Sequence, residues 1–320
     1  MTTMPPLICL IGPTAIGKTA LAFALADRYP VHLISVDSAQ IYQQMDIGTA
    51  KPDIQTLQTY PHALIDLIPP EESYSAAQFC QDAQKEITYA YQAGKIPIFV
   101  GGTMMYYLAF FEGLADLPTS TPQSRAKIEA RLDTEGAEKL YQELVERDPH
   151  TAAQISVNDR QRLTRFSELM LLTGQTPSEL FAAQSHQHPK YATLAIALNT
   201  ERKHLHERIA ARFQSMMQAG FLEEVRMLKD RPLLTAEHPS MRSVGYRQLW
   251  QYLDGQFSLE EATEQGIIAT RQLAKRQITW MNNRLQKSLT LHFHDPLADS
   301  TSSTPLNQID QFLQTHPSLK

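Results

Sequence analysis

The chain has little cysteine and no long apolar run, and each shortage excludes a class of protein. Among 320 residues only Cys9 and Cys80 are cysteines, too few for a disulfide framework or a zinc site. No apolar stretch approaches the ~20 residues that span a bilayer, and residues 1–6 lack the basic start of a secretory signal. We therefore expect a protein of the reducing cytoplasm with no membrane partner.

Neither sign of charge is in large excess. Lys and Arg number 29 against 34 Asp and Glu, which gives a net charge of −5. Apolar residues make up 42% and charged residues 20%, an ordinary globular composition. The length predicts about two domains. Taken alone, the net charge argues against a nucleic-acid partner.

The basic residues are nevertheless segregated. Residues 271–287 contain five basic side chains and no acid, a second cluster comprises Arg160, Arg162 and Arg165 opposed only by Asp159, and a third comprises Arg242 and Arg247. Any one cluster is more readily explained as a solvated helix face than as a binding surface. Three clusters in a net-acidic chain instead predict a polyanionic partner.

The longest basic stretch also has a helical pattern. Ala274, Ile278, Met281 and Leu285 recur at helical spacing and predict a packing stripe. The opposite side carries Gln272, Arg276, Thr279 and Asn283.

Apolar runs alternate with helical patterns along much of the chain. Strands are predicted at 7–11, 31–36, 97–100, 193–198 and 289–293, and helices after the first strand and at 75–93, 203–228 and 267–286. Ser75 is the expected N-cap of the 75–93 helix and Gly94 its C′ residue. Residues 118–186 read as helical and polar, and 299–304 as a Ser/Thr-rich tail.

This order predicts an α/β fold, a P-loop NTPase-like parallel sheet core with an inserted α-helical domain. Residues 1–117 form the first part of the core, 118–186 the insertion, and 187–320 the continuation of the core with further helices and a tail.

Residues 12–19 match the phosphate-binding pattern G-x-x-x-x-G-K-[ST], between an apolar strand and a helix. Backbone N–H groups and the helix N-terminus favour an anion there. Lys18 would meet the terminal phosphate and the Thr19 hydroxyl would bind Mg²⁺. The motif indicates a polyphosphate without specifying a nucleotide.

Asp37 and Thr103 follow two other predicted strands and so are expected at the same edge of the sheet. Asp37 could accept a proton or hold a metal through water, although an Asp at a strand end is also a common turn cap. Thr103, after Gly101 and Gly102, is as readily a helix N-cap.

Two further side-chain groups have open interpretations. Arg208 and Arg212 are spaced to reach a bound diphosphate from one helix face or to pair with acids such as Glu207. The pairs His186 and His188, and His204 and His206, lack metal-ligand spacing, and we interpret them as surface residues.

The motifs together resemble one family, the bacterial tRNA dimethylallyltransferases, over about residues 7–285. The resemblance is carried by GPTAIGKT (12–19), ISVDSAQIYQQMDIGTAKP (34–52), GGTMMYY (101–107), NDRQRLTR (158–165), SMRSVGYRQLWQYLDG (240–255) and ATRQLAKRQITW (269–280).

The resemblance implies transfer of a dimethylallyl group from dimethylallyl diphosphate to N6 of the adenine 3′ to the anticodon, in tRNAs reading codons that begin with U. It implies Mg²⁺ as cofactor, with Thr19 as ligand, and the tRNA anticodon stem-loop as partner of a chain that we expect to be a monomer. Asp37 would be the general base and Thr103 would lie near the reacting centre. The implied diphosphate-binding residues are Gly12, Pro13, Thr14, Ala15, Ile16, Gly17, Lys18, Thr19 and Arg208.

The resemblance also implies a set of tRNA contacts, which includes the 118–186 insertion. The set comprises Asp37, Ser38, Ala39, Gln40, Thr103, Arg125, Gln161, Arg162, Leu163, Thr164, Arg165, Arg242, Ser243, Val244, Gly245, Tyr246, Arg247, Lys275, Arg276, Gln277, Ile278, Thr279, Trp280, Met281 and Asn282.

Three positions depart from the family pattern. Ile16 stands where serine is usual, Gln43 where a basic residue is common, and Asn282 where arginine is frequent.

Two other functional classes remain compatible with the motifs. A nucleoside or nucleotide kinase shares the phosphate loop, and would bind ATP in preference to dimethylallyl diphosphate. A non-catalytic RNA-binding protein with a relict loop would not need Lys18, Thr19 or Asp37. All three are present, which argues against this class.

Overall fold

The structure, a computed structural model, describes residues 4–113, 117–118, 120–182, 191–298 and 305–316. The chain divides into two compact units, the first made of residues 1–112 and 188–320 and the second of residues 113–187. The predicted insertion spans 118–186; its role as a tRNA-contacting domain stays a prediction. The predicted tail at 299–304 and the pair His186 and His188 lie outside the described residues.

The first unit is built on a parallel sheet of six strands. The strands are β1 (Pro6–Ile11), β2 (Val31–Val36), β3 (His62–Ala63), β4 (Ile96–Gly101), β5 (Ala192–Leu198) and β6 (Leu291–His294). They lie in the order β3-β2-β4-β1-β5-β6, so that β1 pairs with both β4 and β5. The α/β class and the parallel sheet predicted from the apolar runs are confirmed.

Helices make up most of the remaining described structure. Those of the first unit are α1 (Lys18–Ala26), α2 (Ile54–Thr59), α3 (Ala76–Gln92), α4 (Met104–Glu112), α10 (Arg202–Gln218), α11 (Phe221–Lys229), α12 (Tyr246–Leu253), α13 (Leu259–Trp280), α14 (Gln286–Ser288) and α15 (Pro305–Thr315). Those of the second unit are α5 (Pro122–Glu135), α6 (Ala137–Arg147), α7 (Pro149–Ala152), α8 (Arg160–Thr173) and α9 (Pro177–Ala182).

The central strands are buried on both faces, as their continuous apolar runs require. Successive β1 residues alternate between two cores, with Cys9 in one and Leu10 in the other. The first core includes buried side chains of α3 and α4, and the second includes those of α1, α10 and α13. This packing holds the carboxyl ends of β1, β2 and β4 next to one another.

The second unit has a core of its own. Side chains from α5, α6 and α8 bury Ile128, Leu140, Leu144 and Leu163. No strand occurs among the described residues of this unit, in agreement with the helical pattern of the sequence.

Two helix predictions are corrected. The predicted helix 203–228 is two helices, α10 and α11, because Gly220 between them adopts a left-handed backbone with φ of 103°. The predicted helix 267–286 begins at Leu259, where Ser258 and Glu261 form a capping box. It ends at Trp280 and continues as a π-helical turn, Met281–Leu285.

Helix α3 agrees closely with its prediction. The Ser75 side chain accepts a hydrogen bond from the N–H of Gln78, whose own side chain completes a capping box. Gly94 follows the C-cap with a φ of 65°. The buried positions Ala274, Met281 and Leu285 likewise confirm the packing stripe of the basic segment.

A helix that crosses a bilayer needs about 20 predominantly apolar residues. None of the described helices combines the length and the apolar character that crossing a membrane requires.

Candidate active site

The phosphate loop connects β1 directly to α1. The left-handed backbone of Ala15, with φ of 64°, and of Gly17, with φ of 109°, turns the loop into the first helical residue, Lys18. A glycine suits the second position because this region is strained for residues with a Cβ atom. The loop therefore ends at a helix N-terminus, the arrangement that favours bound anions.

Lys18 folds back over this loop. Its Nζ lies 3.0 Å from the carbonyl oxygen of Gly12 and 2.8 Å from that of Pro13. Burial lowers the pKa of Lys18 to about 8, an effect that Asp37 opposes and Arg212 reinforces. The ammonium group is thus held by neutral carbonyl oxygens, which an anionic ligand could replace.

Two arginines of α10 add positive charge beside the loop. The Nε of Arg208 donates a hydrogen bond to the carbonyl oxygen of Ala15 at 2.8 Å. Burial lowers the pKa of Arg212, which Asp37 opposes and Arg208 reinforces. Neither arginine forms an ion pair with Glu207 in the described part of the chain, so that alternative for the pair is wrong.

Asp37 and Thr103 occupy adjacent strand ends. One carboxylate oxygen of Asp37, Oδ1, accepts the N–H of Ala39 at 2.9 Å. The Thr103 hydroxyl accepts the N–H of Ser38 at 3.0 Å, and the Thr103 N–H donates to the carbonyl oxygen of Val36 at 3.1 Å. Thr103 therefore ties the end of β4 to the residue after Asp37.

The two strand ends approach so closely that only glycine fits at position 101. A Cβ atom on Gly101 would lie 2.0 Å from the carbonyl oxygen of Val36. The glycine in the GGT motif therefore permits the close pairing of β2 and β4 that brings Asp37 beside Thr103.

Gln277 of α13 reaches into the same site. Its Oε1 accepts the N–H of Thr14 at 2.9 Å, and its Nε2 donates to the carbonyl oxygen of Gly102 at 2.8 Å. The family resemblance implies only a tRNA contact for this residue. Its side chain instead bridges the phosphate loop and the end of β4.

Glu224 is a second residue that the sequence reasoning missed. Its buried carboxylate accepts the N–H groups of Asp46 (3.0 Å), Ile47 (2.7 Å) and Gly48 (3.1 Å), and the Tyr246 hydroxyl (2.5 Å). A side chain of α11 thereby holds the backbone of residues 46–48, which belong to the segment that follows Asp37. An acid within an amphipathic helix gives no sequence signal for such a role.

Gln40, one of the predicted tRNA contacts, uses its side-chain amide within the protein. Its Oε1 accepts the Ser35 hydroxyl at 3.2 Å, and its Nε2 donates to the carbonyl oxygen of Thr49 at 3.3 Å. The amide therefore connects the end of β2 to the segment that Glu224 fixes.

Several side chains in the predicted tRNA set are buried. Leu163, Tyr246 and Met281 have no exposed surface and pack in the hydrophobic cores. Gly245 is buried as well. The prediction of RNA contact is wrong for these side chains, because a core position leaves no surface for a partner.

The side chain at position 16 also points away from a ligand. Ile16 is 1% exposed and packs in the core that includes α1 and α10. A diphosphate could therefore meet this residue only through its backbone.

The exposed members of the predicted set are distributed over both units. The exposed residues are Ser38, Arg125, Gln161, Arg162, Arg242, Arg247, Lys275, Arg276, Thr279 and Asn282, and the partly exposed ones are Asp37, Ala39, Gln40, Thr103, Thr164, Arg165, Ser243, Val244, Gln277, Ile278 and Trp280.

The arginine cluster of α8 is more neutralised than its sequence indicates. Arg160 pairs with Asp133 at 2.8 Å, Arg162 with Asp159 at 3.0 Å and Arg165 with Glu168 at 3.2 Å. The expectation that Asp159 alone opposes this cluster is therefore wrong. Asp133 lies on α5, which the sequence does not bring near Arg160, whereas Glu168 is the i+3 neighbour of Arg165 on α8.

Two basic residues of α13 differ from the arginines of α8 in having no acidic partner among the described residues. Lys275 and Arg276 are exposed, and neither has an ion pair among the described residues. Arg242, in the third cluster, pairs with Glu237 at 2.8 Å.

The strand ends carry oxygen donors that could take part in a metal site. No three His, Cys, Asp or Glu side chains in the described ranges lie close enough to hold a metal ion. The Thr19 hydroxyl, exposed at the start of α1, and the Asp37 carboxylate are hard oxygen donors of the kind that Mg²⁺ takes alongside substrate phosphates. The donor chemistry therefore fits a metal that arrives with a phosphorylated substrate.

Comparison with known proteins agrees with this geometry. A family model described as IPP transferase matches residues 40–284. A tRNA dimethylallyltransferase from Dichelobacter nodosus (strain VCS1703A) is 58% identical over 309 residues, which cover 97% of each chain.

Two solved structures are similar throughout the chain. A tRNA isopentenylpyrophosphate transferase from Bacillus halodurans is 32% identical with a TM-score of 0.67, over 98% of this chain and 96% of that one. A eukaryotic dimethylallyltransferase crystallised while acting on tRNA is 27% identical with a TM-score of 0.82, over 97% of this chain and 80% of that one.

The parallel sheet, with a phosphate loop after β1 and polar residues at the neighbouring strand ends, defines a P-loop α/β protein. Within that class, the chain belongs to the IPP transferase family, whose members are transferases of the prenyltransferase type.

Proposed function

We propose that the chain transfers a dimethylallyl group from dimethylallyl diphosphate to N6 of the adenine 3′ to the anticodon, in tRNAs that read codons beginning with U. The observation that carries the proposal is the position of a phosphate loop with three adjacent cations beside Asp37, in a chain of this family. The relatives' names support a tRNA acceptor and a dimethylallyl group, and the diphosphate donor, the adenine and the codon rule are part of the proposal.

The proposed reaction has one bond-forming step. The N6 amine attacks the first carbon of the dimethylallyl group while the bond from that carbon to the diphosphate oxygen breaks. The diphosphate leaves with the bonding electrons, and the N6 proton passes to the Asp37 carboxylate. Such a positioned base contributes roughly 10²- to 10⁴-fold.

The phosphate loop would stabilise the leaving group. Lys18 and Arg208 already lie on loop carbonyl oxygens, so the charges that the diphosphate needs are preorganised. Preorganised charges of this kind are usually the largest electrostatic contribution to catalysis. When bound, Mg²⁺ would neutralise further diphosphate charge, with Thr19 as its protein ligand.

The acceptor adenine would have to leave its base stack. Asp37 is only partly exposed at the end of β2, so a base that has left the stack would reach it more readily than one held within a stacked stem-loop. The exposed Lys275 and Arg276 would contact the tRNA backbone. We also propose that Arg125 and the exposed residues of 161–165 and 242–247 contact the tRNA, and that the chain acts as a monomer.

The direct test is incubation of the protein with labelled dimethylallyl diphosphate, Mg²⁺ and total tRNA, followed by nucleoside analysis. We expect label in N6-dimethylallyl adenosine from tRNAs reading U-initial codons. Asp37→Ala should abolish transfer while tRNA affinity is largely kept; full activity of this variant would refute the assignment. Preference for ATP over dimethylallyl diphosphate in calorimetry would instead identify a kinase.

A further inference from the structure

A continuous set of hydrogen bonds joins the phosphate loop to the strand end that carries Thr103. The Thr14 N–H donates to Oε1 of Gln277, and Nε2 of Gln277 donates to the carbonyl oxygen of Gly102. The next residue, Thr103, accepts the N–H of Ser38, which follows Asp37. One carboxamide is therefore the side-chain link between the loop for the leaving group and the strand ends that hold the proposed base.

The second glycine of the GGT motif, Gly102, leaves the space that this carboxamide occupies. A Cβ atom on Gly102 would lie 2.6 Å from Nε2 of Gln277 and 2.8 Å from the carbonyl oxygen of Gly12. No larger residue leaves room for the amide between the two loops without a shift. The glycine at position 102 therefore permits the close approach that the hydrogen bond from Gln277 requires.

The two hydrogen bonds of Gln277 require a side chain that both accepts and donates. It accepts from a backbone N–H with one atom and donates to a backbone carbonyl with the other, which a carboxamide can do and a carboxylate or an ammonium group cannot. A carboxylate at this position would face the Gly102 carbonyl without a proton to donate.

We propose that Gln277 is a positioning residue that sets the distance between the diphosphate and the acceptor amine. Because α13 also carries the exposed Lys275 and Arg276, the same helix couples that distance to the bound RNA. This inference rests on the proposed function, since it concerns the alignment of that reaction.

The test compares Gln277→Met, which keeps the length of the side chain but makes neither hydrogen bond, with Gln265→Met on the exposed part of the same helix. We expect kcat of Gln277→Met to fall about 10- to 100-fold, since small misalignments cost this much. Its tRNA dissociation constant and its KM for dimethylallyl diphosphate should each stay near wild type, while loss of the two hydrogen bonds should lower its melting temperature by several degrees. Gln265→Met should match wild type throughout.

A second variant, Gln277→Glu, keeps the shape and adds a readout that a packing role would not move. At neutral pH its carboxylate cannot donate to Gly102, whereas its protonated form can both donate and accept. The ratio of its kcat to that of wild type should therefore rise as pH is lowered from 8 to 6. This variant also serves if Gln277→Met does not fold.

The outcomes separate this inference from the function on which it rests. A wild-type protein that prenylates no tRNA would refute the proposed function. An active wild type with an equally active Gln277→Met, a loss confined to tRNA affinity, or a pH-independent Gln277→Glu ratio would overturn the positioning role alone.

Discussion

The Nε of Arg208 lies 2.8 Å from the carbonyl oxygen of Ala15, so that an arginine of α10 holds the strained bend of the phosphate loop. The hydrogen bond uses one of the five donors of the guanidinium, which leaves the others for a ligand. Arg208 thus combines support of the loop with charge beside the anion site.

We expect Arg208→Ala to weaken binding of dimethylallyl diphosphate. Loss of a charged hydrogen-bond partner costs about 1.5–3 kcal/mol, or ~10- to 150-fold in affinity. Calorimetry with inorganic diphosphate and with dimethylallyl diphosphate measures the loss. Lys203→Ala, an exposed cation of the same helix, is the matched control. Equal affinities for Arg208→Ala and the control would refute the role.

The depressed pKa of Lys18 predicts that diphosphate affinity depends on pH. Burial lowers that pKa to about 8 in the free protein, and only the ammonium form attracts the anion. Affinity should therefore be full below pH 8 and fall towards tenfold per unit above it. Binding titrations from pH 7 to 9.5 test this, and Lys18→Met should bind weakly with little of this dependence.

The same group has the opposite effect on stability. The ordinary pKa of 10.5 lies above the folded value of about 8, so between these values the unfolded chain binds the proton that the folded chain has released. The contribution of Lys18 to the free energy of unfolding consequently rises with pH across this window. Denaturation at pH 7.5 and 9.5 should show that the free energy of unfolding of wild type increases relative to that of Lys18→Met, because groups such as Cys9 and Cys80, whose pKa values burial raises, contribute equally to both proteins.

Glu224 predicts a large effect on stability from a single carboxylate. Glu224→Ala leaves three backbone N–H groups and the Tyr246 hydroxyl without their acceptor. Each unsatisfied buried donor costs about 1–3 kcal/mol, so the free energy of unfolding should fall by about 3 kcal/mol or more. Urea denaturation measures it, with the exposed neighbour Glu223→Ala expected within about 0.5 kcal/mol of wild type. A loss below 1 kcal/mol would show that water replaces the carboxylate.

The exposed bases of α13 predict the salt dependence of tRNA binding. If Lys275 and Arg276 contact phosphates, Lys275→Ala and Arg276→Ala should each lower the slope of log affinity against log salt by about 0.7–0.9. Binding isotherms between 50 and 200 mM salt test this. Arg226→Ala removes an exposed arginine of α11 that pairs with Glu223 at 3.3 Å, and should leave the slope unchanged.

Much of the fold follows from local patterns. The strands β1, β2, β4 and β5 were predictable because a strand buried on both faces must be apolar throughout, and helix α3 because Ser75 and Gly94 mark its ends. The break at Gly220 was missed because a single glycine inside a helical pattern does not by itself end a helix. The two-residue strand β3 is too short to carry any periodicity.

The candidate site likewise has a part that the sequence predicts and a part that it does not. Its phosphate loop, Asp37 and Thr103 could be located from the sequence, because a parallel sheet places the residues after its strands at one edge. Leu163 and Tyr246 were misassigned, because a motif match does not distinguish a side chain that packs in the core from one that faces a partner.

The sequence by itself determined which polar residues follow the strands, where the phosphate loop lies and where basic residues are concentrated. All three depend on residues near one another in the chain. Only the tertiary structure decided that Gln277 bridges two loops, that Glu224 holds the segment 46–48, and that Asp133 of α5 pairs with Arg160 of α8. These contacts join residues far apart along the chain or on different faces, and directed hydrogen bonds of this kind leave no periodic signal.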